Sequence, residues 1–187
     1  MNSLRLSAAI GAAAITICAA SPSFAMTGEC FWRHLAPATR DALLRDYERL
    51  GAEALDRVAV SGDEYGAMDS ECGAAGADPA VKDRLLGAVV IEHGSAVFLQ
   101  GRLHWNSDGI QTAWARIAPD DVDWLHDQAK QVLRGQTPES ADVSGPARDF
   151  LGDAPDPNPE VLEQARAYVA SRAMREQIER ATASRGD

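Results

Sequence analysis

The chain has 187 residues, of which 18 are Lys or Arg and 28 are Asp or Glu, giving a formal net charge of −10. This length suits one domain, alone or with an appendage, and is too short for two ordinary domains. The acidic balance argues against nucleic acid or an anionic membrane as a partner, because binding polyphosphate needs an excess of cations. A hydrophobic content of 45% and a charged content of 25% indicate a globular protein rather than a disordered one.

The first 25 residues have the layout of a secretory signal peptide. Arg5 precedes an apolar run over residues 6–20, and Ser23-Phe24-Ala25 is a small-x-small cleavage sequence. The alternative, a membrane anchor, needs about 20 consecutive apolar residues, and this run is shorter. The sequence therefore predicts export to the periplasm or the exterior. Cleavage after Ala25 would leave 162 of the 187 residues, with no stable membrane insertion.

Two cysteines, Cys30 and Cys72, remain after this cleavage, because Cys18 lies in the predicted signal peptide. An even number of cysteines in an oxidising compartment predicts one disulfide, with two free thiols as the alternative. The bond would close a loop of about 43 residues, which is worth roughly 4 kcal/mol if it acts by restricting the unfolded chain.

Helix-start signals recur along the chain. Pro37 precedes a series of apolar residues at helical spacing, and Gly51 is expected to bend or split that helix. Ser61 and Glu64 have the spacing of a capping box and predict a short helix that stops at Gly73.

Segment 79–105 is apolar on almost every side and is predicted to form the central helix of the fold. Asp78 and Pro79 supply its cap and its first turn. Glu92, His93 and Gln100 in its middle disfavour a membrane span, so we expect this helix to be buried within the protein.

Two further helices follow the central one. A turn at 106–109 leads into a short helix over about 110–117, and Pro119 begins a longer helix that Gly135 ends. No segment of useful length alternates with a period of two residues, so strands are not expected.

Residues 135–158 differ in composition from the rest of the chain. They hold four of the nine prolines and three of the glycines, with Phe150-Leu151 as their one apolar island, and predict a flexible linker. Asn158 and Pro159 then begin a C-terminal helix, predicted over 159–187. The predicted fold is all-α: a core of 26–134 with about five helices around helix 79–105, then the linker and the C-terminal helix.

Three glycines, Gly87, Gly94 and Gly101, recur every seven residues in the predicted central helix and lie within roughly 40° of one another around its axis. Each costs on the order of 1 kcal/mol relative to alanine in a helix interior, so we expect a compensating cause. Close approach of a neighbouring helix is the favoured cause. A groove for an apolar ligand is the alternative.

A polar stripe on the same helix raises the question of a ligand pocket. His93 and His104 are eleven residues apart, so they share a face but stand roughly 16 Å apart along the axis and cannot share one metal ion. The favoured interpretation is that these groups are core residues that fix helix register. The alternative is a ligand or metal pocket that recruits a histidine such as His34 from another helix. The candidate pocket residues are Glu92, His93, Gln100, His104 and His126.

Motifs for common chemistries are absent from the sequence. It contains no C-x-x-C-H, H-E-x-x-H, S-x-x-K or G-x-S-x-G and no glycine-rich phosphate loop. We therefore predict no catalytic residue, metal or cofactor, and favour a non-catalytic binding module whose C-terminal helix binds a protein partner or a second copy. The alternatives are a small-ligand or metal-binding protein or a hydrolase with a pocket at His93 and His104, and a structural protein of the cell envelope that only oligomerises.

Overall fold

The computed structural model describes residues 26–138, 142–154 and 158–184. The predicted signal peptide lies outside these residues. Within them the chain forms helices and no strand, which confirms the predicted all-α class. The α-helices are α1 (Gly28–His34), α2 (Pro37–Leu50), α3 (Gly62–Glu71), α4 (Pro79–Leu103), α5 (Ser107–Trp114), α6 (Pro119–Leu133), α7 (Ser144–Leu151) and α8 (Pro159–Ala183), and a 3₁₀ helix covers Gly51–Asp56.

Helices α4 and α8 form the centre of the fold as an antiparallel pair. Each has 25 residues. Their relative direction follows from two ion pairs, because Glu92 on α4 meets Arg175 on α8, whereas Arg102 meets Glu160. Helices α1 and α2 pack on α4, and α6 and α7 pack on α8. The predicted central helix is therefore present, and the arrangement around it differs from the prediction because α8 shares the centre.

Local sequence signals place most helix starts. A capping box joins Ser61 and Glu64 as predicted, and Gly51 ends α2 with a φ of 59° before the 3₁₀ helix begins. The Glu64 carboxylate also accepts a hydrogen bond from the backbone N–H of Ala36, at 2.7 Å. Although burial raises its pKa, the hydrogen bonds from Ser61 and Ala36 outweigh this effect and lower the pKa of Glu64 to about 2. Prolines occupy the first position of four helices: Pro37, Pro79, Pro119 and Pro159.

The prediction of a flexible linker over 135–158 is wrong for residues 144–151, which form α7. Pro146, Ala147, Phe150 and Leu151 are buried on one side of this helix, against α8. Arg116 donates hydrogen bonds to the carbonyl oxygens of Phe150 and Leu151, at 3.3 and 3.4 Å, and so satisfies the C-terminal end of α7. The proline and glycine content of this segment favoured a linker, although its apolar residues have the spacing of one helix face.

Helix α8 is part of the core and is not a separate arm. Its buried positions extend from Val161 at the first turn to Ile178 near the last, so both halves of the helix pack on the rest of the chain. Its second half also carries the ion pairs Arg175–Glu179 and Arg180–Glu176. Among the residues described, no helix is long and apolar enough to cross a membrane.

Two apolar clusters lie at opposite ends of the α4–α8 pair. One surrounds Phe150 and Tyr168, and the other surrounds Phe31 and Leu85. Buried serines and partly buried charged side chains, such as Ser95, Glu92 and Arg175, occupy the stretch between them. The two halves of the core are therefore joined through a polar layer on α4 and α8.

The three glycines of α4 have three different environments. A Cβ at Gly94 would lie 2.6 Å from Cγ of Tyr47, so this glycine permits the close approach of α2. A Cβ at Gly87 would make an ordinary contact of 3.5 Å with Leu55, and one at Gly101 would meet nothing within 4 Å. The packing hypothesis thus explains Gly94, whereas Gly87 has room for a Cβ beside Leu55 and Gly101 faces open space.

We predict opposite effects for two alanine substitutions in α4. Gly94→Ala should lower the free energy of unfolding by about 1–3 kcal/mol, because the Tyr47 ring is held in place by a hydrogen bond to Ser95 and cannot yield freely. Gly101→Ala should raise it by up to about 1 kcal/mol through helix propensity. Urea unfolding of both variants measures the difference, and equal effects would contradict the assignment of Gly94 to packing.

Candidate functional site

Glu92 belongs to a network of ion pairs. It accepts hydrogen bonds from Nε and Nη2 of Arg175, at 2.6 and 3.2 Å. Arg175 also donates to Glu179 at 3.0 Å, and Glu179 accepts the backbone N–H of Gly28 at 2.8 Å. The Glu92 and Arg175 side chains are 15% and 20% exposed, so solvent screens this pair poorly. The network ties α1, α4 and α8 together.

His126 is engaged in a second part of this network. Nη1 of Arg180 lies 3.1 Å from its Nδ1, and a guanidinium can only donate, so Nδ1 accepts and the ring proton is on Nε2. Nε2 then donates to Glu176 at 3.0 Å. Burial raises the pKa of Glu176, but Arg172 and His126 outweigh this effect and lower it. The imidazole connects α6 to α8.

The remaining candidate pocket residues lie apart. His93 stacks on Trp32, with ring centroids 4.1 Å apart and planes 9° apart, and burial lowers its pKa. His104 is exposed and ends α4 with a φ of 54°. Gln100 is partly buried. No hydrogen bond within the described ranges joins any two of the five predicted residues, and a pocket that they share stays a prediction.

An open groove instead lies beside α4, between the 3₁₀ helix and α8. We call it the apolar groove; its cavity volume is about 660 Å³. Gly87 and the small side chains of Ala88, Ala167 and Ala170 leave this space between the helices. The other lining residues are Tyr47, Gly51, Ala52, Leu55, Asp83, Arg84, Ile91, Val132, Glu163, Gln164, Ser171 and Met174.

Three polar side chains meet where α2, α4 and α8 come together at this groove. The hydroxyl groups of Tyr47 and Ser95 are 2.8 Å apart, and Oε1 of Gln164 lies 3.2 Å from the former and 3.1 Å from the latter. Burial raises the pKa of Tyr47, so its phenol stays protonated. Tyr47 and Ser95 are buried, whereas Gln164 is partly exposed and lines the groove. Gln164 is therefore the member of the triad that a ligand can reach.

Charged side chains occupy the edges of the groove. Asp83 accepts a hydrogen bond from the hydroxyl of Tyr65 at 3.1 Å, and Arg84 donates to the carbonyl of Leu133 at 3.4 Å. With Glu163, the charged lining residues are two acids and one base. This edge opposes an anionic ligand through like charge.

The disulfide between Cys30 and Cys72 is a second feature that could take part in chemistry, and it confirms the predicted pairing. Their Cα atoms are 5.7 Å apart. His34 lies beside the bond, with Nδ1 2.8 Å from the carbonyl oxygen of Cys30 and Nε2 3.0 Å from Glu71. Both partners accept hydrogen bonds, which stabilises the imidazolium and raises the pKa of His34.

Comparison of the chain with protein-family models, with curated proteins and with solved structures finds no match. Function is therefore argued from the site alone. Sequence analysis did not find the apolar groove or the contact of His34 with the disulfide. The one available signal for the groove was the unexplained glycine at position 87, for which an apolar groove was the stated alternative.

We predict that Glu92→Ala lowers the free energy of unfolding by on the order of 3 kcal/mol, because it leaves the buried side of Arg175 without its bidentate partner. The control is Arg33→Ala, which breaks the exposed Arg33–Glu29 pair and should cost no more than about 0.5 kcal/mol. Chemical denaturation measures both. Similar losses in the two variants would contradict the structural importance of the network.

We predict that His34 and His93 affect stability with opposite pH dependence. The pKa of His93 lies below 6.5 in the folded protein, so its contribution is present above pH 6.5 and is lost as pH falls through the folded pKa. The pKa of His34 lies above 6.5, so its contribution is complete below pH 6.5 and is lost as pH rises through the folded pKa.

Urea unfolding across this pH range, with the single variants His93→Phe and His34→Asn, tests the assignment. In His93→Phe, stability should no longer fall as the pH becomes acidic. In His34→Asn, stability should no longer fall as the pH becomes alkaline. Unchanged pH slopes in both variants would show that neither environment perturbs its imidazole.

Proposed function

We propose that the protein is an exported, non-catalytic binding protein that holds a small, neutral amphipathic molecule in the apolar groove. The observation that carries this proposal is a groove of about 660 Å³ with apolar walls, an uncharged polar side chain that a ligand can reach, Gln164, and charged side chains at its edges. The export part of the proposal rests on the sequence of residues 1–25.

The size and chemistry of the groove support a small molecule. Ligand sites are typically clefts of about 300–1,000 Å³, lined by apolar side chains with a few polar groups that set orientation. The walls supply Leu55, Ile91 and Met174 as apolar contacts. A ligand hydroxyl or amide would pair with Gln164, whose carbonyl oxygen already accepts from Tyr47 and Ser95.

The charges oppose an anionic ligand. Asp83 and Glu163 would repel a carboxylate or phosphate at the groove edge, where Arg84 is the one basic lining residue. The overall charge of −10 adds to the barrier against anions. A neutral molecule with an apolar body avoids this repulsion and also the cost of moving a charge from water against apolar walls.

The sequence favoured a binding module whose C-terminal helix binds a protein partner or a second copy, and the packing of α8 does not support a free arm. That hypothesis needed a helix free to leave the core after a flexible linker, whereas α8 is buried along its length and α7 packs against it. The same packing supports a rigid wall for the groove. Ala167, Ala170 and Met174 lie on α8, and the buried face of that helix fixes its position.

We predict that a neutral fluorescent probe, N-phenyl-1-naphthylamine, binds the protein and that Ala170→Trp weakens this binding at least about tenfold by filling the groove. Ala170 is exposed, so the larger side chain should leave the fold intact. The matched control is Ala183→Trp, which adds the same indole at an exposed position of α8 outside the groove. Probe fluorescence titration measures all three proteins.

Competition with decanol, decanoate and decylammonium then tests the ligand class, since the three share one chain length. Decanol should displace the probe most strongly. Absence of probe binding, or equal binding to the Ala170→Trp variant, would refute the groove as the site. Stronger displacement by decanoate or decylammonium would refute the assignment of a neutral ligand while leaving the groove in place.

A further inference from the structure

The disulfide site combines features that a purely structural cross-link does not require. Cys30 lies on α1, and Cys72 follows α3. Nδ1 of His34 lies 3.3 Å from Sγ of Cys72 and 3.6 Å from Sγ of Cys30. A hydrogen-bond donor is thus placed next to both sulfur atoms.

The two hydrogen-bond acceptors at His34 favour the charged form of its imidazole. Its Nδ1 faces the carbonyl oxygen of Cys30 and its Nε2 faces Glu71, and both of these groups accept hydrogen bonds. The charged groups that act on it within the described chain are Glu71 from α3, which favours the cation, and Arg33 from α1, which opposes it. Helix α4, which also packs on α1, supplies no further charge to His34.

The two cysteines differ in exposure to solvent. Cys72 is only 1% exposed, whereas Cys30 is partly exposed. Both cysteines and His34 line an open cavity of about 680 Å³, together with Thr27, Arg33, Ser70 and Glu71. An incoming thiol therefore has room to reach Cys30. The sulfur of Cys72 would then be the leaving group.

We propose that Cys30–Cys72 is an exchangeable disulfide that reacts with small-molecule thiols, with His34 stabilising the leaving Cys72 thiolate. The thiolate of the small thiol attacks Sγ of Cys30 and forms a mixed disulfide. The Cys30–Cys72 bond breaks, its electron pair moves to Cys72, and that thiolate accepts the proton of Nδ1 of His34.

A second small thiolate attacks the mixed disulfide and releases Cys30. The products are the protein dithiol and one oxidised small-molecule disulfide, so two thiols supply the two electrons and two protons that the protein gains. The imidazolium matters because burial alone would raise the pKa of the Cys72 thiol and make it a poor leaving group.

The test uses reduced glutathione as the thiol and follows reduction of the full-length protein from about pH 5.5 to about pH 8.5, the range in which an imidazole loses its proton. The rate is divided by the concentration of glutathione thiolate at each pH. For the unsubstituted protein, this thiolate-specific rate constant should fall about tenfold as His34 is deprotonated. In His34→Asn it should be low and independent of pH.

The matched control is His104→Asn, which removes an exposed imidazole elsewhere on the chain. His104 has a φ of 54°, a conformation that asparagine tolerates well, so this variant should fold and react like the unsubstituted protein. Glu71→Gln provides a second variant that retains the ring at position 34. It should shift the pH dependence to lower pH, because the imidazolium loses its carboxylate partner.

Mass spectrometry of the alkylated intermediate identifies the sulfur attacked, and glutathione should be found on Cys30. Equal thiolate-specific rate constants and pH profiles in the unsubstituted protein and His34→Asn would overturn the role of His34. Glutathione on Cys72, or a disulfide that glutathione does not reduce in the folded protein, would overturn the proposal. None of these outcomes bears on binding in the apolar groove, which the probe titration tests separately.

Discussion

The bidentate pair between Glu92 and Arg175 is the interaction on which the arrangement of the central helices depends. Two poorly exposed charges are tolerated when they meet, and are costly when separated. Sliding α8 by one turn along α4, about 5.4 Å, would separate them. The pair therefore selects one register, and that register also brings Ser95 opposite Gln164.

The groove follows from this register and from the position of α2. Gly94 allows the Tyr47 ring to lie directly on α4, so α2 is close to α4 at that point. The chain then turns at Gly51 into the 3₁₀ helix, which meets Gly87 only through Leu55. The two walls diverge there, and the small side chains on α8 leave the space between them unfilled.

Local features of the sequence predicted helix starts well, because a capping box or a first-turn proline acts within a few residues. Features that depend on distant partners were not predictable in this way. Nothing near Glu92 indicates that Arg175, 83 residues later, will neutralise it. A charged residue on an apolar helix has the same sequence pattern in a ligand pocket and in an internal ion pair. The helix at 144–151 was missed for a different reason. Its apolar residues have helical spacing, but the proline and glycine content of the segment favoured the prediction of a linker.

The position of the disulfide makes exchange chemistry compatible with a stable groove. Cys30 and Cys72 link α1 to the end of α3, and neither of these helices lines the groove. Helix α1 is also held by the burial of Phe31 and by the hydrogen bond from Gly28 to Glu179. Opening the disulfide removes one restraint from the unfolded chain but involves none of the residues in the α4–α8 ion pairs. The oxidised and reduced proteins should therefore share one groove, so the proposed disulfide exchange and the proposed ligand binding would be independent.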